Sequence, residues 1–262
     1  MNRRTILIAA GALGARPVRA ARDGSPDLWE LPVDKMERIG PTVWVKGLAP
    51  GVWITCFTFD TPDLGHVPCN GLIIAGASGS TIIDTGVNRD QGALLLAAAK
   101  RLTSQPVTQA IATHFHGDRT GGTEAMRAAN IPVFAHPYSV GLAQAYAAPV
   151  PQPVKGLEKG PVRLGPVELF FPGAGHTRDN IAVWHHESGT LFGGCLLRAT
   201  TDNGVGSLAD ADIEAYPGTL DRLAARYPDR RFTIPGHGTI AGDSLNWTRR
   251  WVNAVLAKRA QP

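Results

Sequence analysis

Short apolar runs follow one another from Ile39 to Asp84. Thr42–Lys46, Val52–Phe59, Asn70–Ala75 and Ser80–Ile83 are rich in Val, Ile, Thr and aromatic residues, with Gly and Pro between them. That pattern predicts antiparallel strands. The period then changes. Residues 90–102 (DQGALLLAAAKRL) combine helix-forming composition with an apolar face and predict a helix. A strand is expected at Val107–Ala112, a short helix at Thr123–Ala129 and a strand at Val133–Ala135. The second half repeats the order. Strands are expected at Val162–Leu164, Val167–Phe171, Ile181–His185 and Thr190–Phe192, then a helix over Ala209–Arg226, a strand at Phe232–Ile234 and a helix at Leu245–Lys258. Strands and helices thus occur in two rounds with no linker between them. One α/β domain of two packed sheets with helices outside is the economical architecture.

Composition agrees with such a domain. Of 262 residues, 44% are hydrophobic and 18% charged, enough for a large core and far from a disordered composition. No apolar run reaches the ~18 residues that a membrane span requires. The formal charge of +4 raises a nucleic-acid reading, which the position of the charge removes. Residues 1–20 hold four Arg and no acidic residue. They read as an export signal: a basic start (Arg3, Arg4), an apolar stretch from Ile6 to Leu13 and a small-residue end at Val18-Arg19-Ala20. The paired Arg3-Arg4 has a loose twin-arginine character. Cleavage after residue 20 leaves residues 21–262 with no net charge and no electrostatic footprint for nucleic acid. A soluble protein of the periplasm is expected, with a monomer as the default state. Of the three cysteines, Cys56 and Cys69 flank an expected hairpin; they form either a disulfide or two buried thiols.

The candidate chemistry lies at strand ends. His114-Phe115-His116-Gly117-Asp118 follows the strand Val107–Ala112 and brings two imidazoles and a carboxylate to one turn. His176 stands in the turn PGAGHT, Cys195 in FGGC and His237 in IPGHG, each after a strand and a glycine. Glycine lets backbones approach a shared centre closely, and strand-end loops on a rigid sheet commonly carry catalytic groups. A sulfur with imidazoles and a carboxylate favours zinc over magnesium or calcium.

THFHGD, GAGHT, GGCLL and IPGHG, in this order and spacing, resemble the zinc-ligand motifs of the subclass B1 metallo-β-lactamases. The resemblance covers roughly residues 38–258. It implies a single-domain, four-layer αββα sandwich with two zinc ions at one edge. His114, His116 and His176 would hold the first zinc, and Asp118, Cys195 and His237 the second. The implied reaction is β-lactam hydrolysis by a zinc-bound hydroxide that Asp118 orients, on penicillins, cephalosporins and, as a further expectation, carbapenems, so conferring antibiotic resistance. Arg198 would bind the substrate carboxylate. Ser207 stands just before the D-A-D run where many members have Asn, which weakens the expected help with the oxyanion. Leu64 would tip a flap over the substrate, and Asp84 would orient the loops of the metal site. Two other readings compete: a lactone, thioester or phosphoester hydrolase of the same superfold, and a non-catalytic zinc module. The first usually carries a second His after the motif Asp and a bridging carboxylate, where this chain has Arg119 and Cys195. The second is disfavoured by six ligands, since structural zinc sites are usually closed sets of four. No S-x-x-K or G-x-S-x-G occurs to support a serine enzyme.

Overall fold

The computed structural model describes residues 32, 34–61, 65–145 and 149–261. The expected export signal and Leu64 lie outside the described residues. Eight strands form the first sheet in chain order: β1 (Glu37–Gly40), β2 (Val43–Ala49), β3 (Val52–Thr61), β4 (Gly65–Ile74), β5 (Ser80–Ile83), β6 (Val107–Ile111), β7 (Val133–Ala135) and β8 (Gln152–Pro153). The first five pair antiparallel as hairpins; β5 to β8 pair parallel, because helices supply the crossovers. Those crossovers include α1 (Arg89–Thr103), the short α2 (Gly117–Thr120) and α3 (Thr123–Ala128), and α4 (Pro137–Ala145). The second sheet runs β13-β12-β11-β10-β9, from β9 (Val162–Leu164), β10 (Val167–Phe170), β11 (Ala182–His185), β12 (Thr190–Gly194) and β13 (Phe232–Pro235). It is antiparallel except for β12·β13, which α5 (Tyr216–Arg226) connects; α6 (Ser244–Arg259) closes the described chain.

Three apolar layers follow from which face each strand buries. Between the sheets lie Ile54, Leu72, Ile74, Ile83 and Ile111 against Val167, Leu169, Val183, Phe192 and Ile234. Outside the first sheet, Leu95, Ala98 and Ala99 of α1 and Met126 of α3 cover Val43, Val45, Phe57 and Ile82. Outside the second, Leu220 and Leu223 of α5 and Leu245 and Val252 of α6 cover Ala182, Trp184 and Leu191. The order is helix, sheet, sheet, helix: the αββα sandwich.

Two expectations resolve differently or more narrowly. Cys56 and Cys69 are buried free thiols. Cys56 is opposite Asn70 and Cys69 opposite Phe57, so the one-residue offset points the two sulfurs to opposite faces of the sheet. The helix expected over Ala209–Arg226 begins only at Tyr216, with Pro217 in its first turn. Residues 209–215 form turns instead: the Asp212 carboxylate accepts from the Ala215 N–H at 3.1 Å, and the Asp212 N–H donates to Gly175 O at 2.9 Å. The D-A-D segment is thereby held against the rim where β6, β10 and β12 end.

Candidate active site

β6 delivers the first donor set. Asp84, at the end of β5, accepts from the Thr113 N–H at 2.8 Å and the Thr113 hydroxyl at 3.0 Å, which sets the path of the loop carrying His114 and His116. His176 comes from the loop after β10. Asn180 pins that loop: its Oδ1 accepts from the Thr177 N–H, and its Nδ2 donates to Gly173 O. The three imidazoles then converge, with ring centroids 4.7, 4.9 and 5.3 Å apart. One nitrogen from each lies within 4.8 Å of the others, and His114 Nε2 is 2.9 Å from His116 Nδ1. Burial and the neighbouring imidazoles hold His114 and His176 well below the usual histidine range. Uncharged lone pairs gathered at one point form a cation site. His116 has its tautomer set from behind: Nε2 donates to Asp210 Oδ2 at 2.9 Å, leaving Nδ1 as the free donor atom.

The second set comes from α2, β12 and β13. Cys195 Sγ lies 3.2 Å from His237 Nε2 and 3.8 Å from Asp118 Oδ2, and the last two are 3.3 Å apart. Gly236 makes this approach possible, since a Cβ there would sit 2.7 Å from Cys195 Sγ. Gly194 turns the chain into Cys195 at φ 54°, a conformation that favours glycine. His237 Nδ1 donates to Pro68 O at 2.9 Å, so in the neutral ring Nε2 carries the lone pair. Cys69 lies behind that ring, 3.5 Å from Nδ1, and burial pushes its thiol pKa up. Its sulfur therefore flanks the set on the Nδ1 side of His237, whereas Cys195 faces Nε2.

Arg119 is the group that ties this set to the fold. It is fully buried, and Nη2 lies 2.9 Å from Cys195 Sγ, 3.0 Å from Asp118 Oδ2 and 3.1 Å from His237 Nε2. The same nitrogen donates to Gly236 O at 2.9 Å; Nη1 donates to Asn70 O at 2.8 Å and pairs with Asp84 Oδ2 at 3.1 Å. Burial opposes ionisation of Asp118, but Arg119 and His237 outweigh it and hold that carboxyl well below the carboxylate range. Burial has the upper hand at Asp84, whose pKa rises to about 6 despite Arg119. The two sets together offer four imidazoles, a carboxylate and a sulfur, a donor chemistry that suits zinc.

The remaining expected residues take different places. Arg198 follows Cys195 in a turn and is ion-paired to Asp202 at 2.8 Å. Ser207 is half-buried, and its hydroxyl accepts from the Ala209 N–H at 3.4 Å, in the turn that leads to Asp210. A groove of about 220 Å³ lined by Phe115, Tyr138, Leu142, Arg178 and Asp210 opens beside His116. Asp210 and Arg119 are thus working parts of the site that carry no ligand motif of their own.

Three comparisons bear on this geometry. The family model of the metallo-beta-lactamase superfamily matches residues 64–252. A metallo-beta-lactamase type 2 of Bacteroides fragilis is 30% identical over 87% of this chain and 92% of its own. One from Pseudomonas aeruginosa is 28% identical over 82% of this chain and 85% of its own. A crystal structure of a metallo-beta-lactamase from Erythrobacter litoralis, with beta-mercaptoethanol in its active site, superposes with a TM-score of 0.79 at 33% identity, covering 84% of this chain and 100% of that one. The mono-zinc form of a Pseudomonas aeruginosa enzyme gives 0.77 at 32% identity, over 82% and 96%. With the sandwich, the two donor sets on its rim and matches spanning nearly the whole described chain, this protein belongs to the metallo-beta-lactamase superfamily.

Proposed function

We propose that this protein is a zinc-dependent β-lactamase of the B1 type, active on penicillins, cephalosporins and carbapenems. The observation that carries the reading is the pairing of two unlike donor sets on one rim: His114, His116 and His176, and Asp118, Cys195 and His237, mutually within 3.8 Å. Each set would hold one zinc ion, and zinc would supply the Lewis acidity for amide cleavage. The chain's own groups do the rest. Asp118, kept ionised by Arg119, orients the attacking water. Asp210 and Pro68 engage the far nitrogens of His116 and His237, which leaves Nδ1 of the one and Nε2 of the other as the atoms that would bind a metal. Arg198 takes the substrate carboxylate through its planar fork of donors. Ser207, shorter than the Asn that many members carry, lends the oxyanion less help, and Leu64 covers an apolar part of the substrate. The basic and apolar start of the chain supports export to the periplasm, where such an enzyme meets antibiotics and confers resistance.

The test is hydrolysis of a chromogenic cephalosporin by the mature protein, with chelator and then with added zinc. Activity should vanish with chelator and return with zinc. Cys195→Ser should stay folded, bind one zinc ion in place of two and lose at least about 100-fold in kcat. Chelator-resistant turnover would overturn the reading. Hydrolysis of thioesters or lactones without β-lactam turnover would replace it with another hydrolase of the superfold.

A further inference from the structure

Arg198 has a partner inside the protein. Its Nη2 donates to Asp202 Oδ2 at 2.8 Å, and both side chains are only about one-fifth exposed, 17% and 23%. Asp202 is held firmly. The same Oδ2 accepts from the Ala199 N–H at 3.1 Å, the Asp202 N–H donates to Ala199 O at 2.9 Å, and Trp247 Nε1 donates to Asp202 O at 2.9 Å. On the other side the guanidinium lies against Gly206, next to Ser207 in the loop that leads to Asp210; a Cβ on Gly206 would come within 2.7 Å of Nη1. The Arg198 N–H donates to Thr248 Oγ1 at 2.8 Å, which anchors the turn to α6. Arg198 Nε is buried without a hydrogen-bond partner. The cation three residues after Cys195 is therefore partly neutralised by a rigidly placed carboxylate of its own turn.

We propose that Asp202 is a positioning residue that sets specificity: its carboxylate occupies the guanidinium of Arg198, and a substrate carboxylate binds in competition with it. The inference rests on the reading of Arg198 as the carboxylate anchor. A half-buried Arg–carboxylate pair is stronger than a surface pair, and removal of the internal anion leaves the fork with its full charge for an incoming one. The interaction is made equally with substrate and transition state, so its effect falls on KM and not on kcat.

The experiment is steady-state hydrolysis by the zinc-loaded enzyme of one cephalosporin and of the same compound with its ring carboxylate esterified. Asp202→Asn keeps an acceptor for the Ala199 N–H and removes the charge. It should lower KM for the free acid about three- to tenfold, change kcat less than about twofold, and leave KM for the ester unchanged. Arg198→Ala should raise KM for the acid alone, and Asp202→Asn should have no effect in that background. An unchanged or raised KM in Asp202→Asn, with Arg198→Ala still raising it, would overturn the competition while sparing the anchor. A wild-type KM for the acid in Arg198→Ala would remove the anchor and the proposal with it. Asp202→Ser provides a second neutral acceptor; if both variants fail to fold, the carboxylate serves the turn and the proposal falls.

Discussion

His116 offers Nδ1 to the first donor set because Asp210 has taken Nε2, from 94 positions along the chain. A hydrogen-bonded carboxylate behind a metal-ligating imidazole fixes its tautomer and orientation, and loss of one typically costs 10- to 100-fold in affinity or activity. Asp210→Ala should therefore weaken zinc binding at the first donor set by about that factor, read by competition with a chromophoric chelator, while Asp221→Ala, at the exposed surface of α5, should not. The ligand-type residues were legible in the sequence because each sits at the end of an apolar run, in a short motif of chemically unusual residues. Asp210 was not. It lies in an ordinary acidic run that reads as a helix start, and only the turns of residues 209–215 aim it at His116. Arg119 was legible as a departure from neighbouring families, but not as the fully buried hub it is, since nothing local to it predicts, besides the adjacent Asp118, five partners from four separate segments.

At the scale of elements, period and composition place most strands and the two long outer helices close to where they stand. α4 escaped because Pro-Tyr-Ser-Val-Gly-Leu-Ala-Gln-Ala mixes Gly, a β-branched residue and small residues with no clear apolar stripe. The junction between β7 and α4 carries a titratable group of its own. His136 is buried, packs at a tilt against Phe171 with ring centroids 4.3 Å apart and accepts from the Tyr138 N–H through Nδ1 at 3.2 Å. Burial lowers its pKa to about 4. Below its ordinary value the unfolded chain binds a proton that the folded one refuses. The stabilisation is thus complete above about pH 6.5 and lost as pH falls toward 4. Denaturant unfolding at pH 7 and pH 4.5 should show wild type losing about 2 kcal/mol more than His136→Gln, after allowance for partial solvent screening. Equal losses would mean that the ring protonates in place.

At the scale of the whole molecule the two sheets are joined at the rim by polar bonds as well as by the apolar layer. The Asn70 N–H in β4 donates to Gly236 O, and its side-chain amide donates to Pro235 O at the end of β13 and to Gly238 O beyond it. Arg119 adds Asn70 O and Gly236 O from the α2 side. The alternation of apolar residues says that there are two sheets with buried inner faces; it does not say which strand ends meet, because the bonds to Pro235, Gly236 and Gly238 join residues more than a hundred positions apart. Arg119→Met, which keeps much of the volume but leaves Asp84 and Asp118 uncompensated, should cost about 3–5 kcal/mol in urea unfolding even with chelator present. A loss seen only with zinc bound would confine Arg119 to the metal site. Because one guanidinium both closes the sandwich and faces the second donor set, drift at position 119 cannot alter what that donor set binds without also drawing on the protein's reserve of foldedness. Lineages that explore that position must acquire stabilising changes elsewhere first, so the order in which mutations can accumulate is constrained by a fully buried side chain.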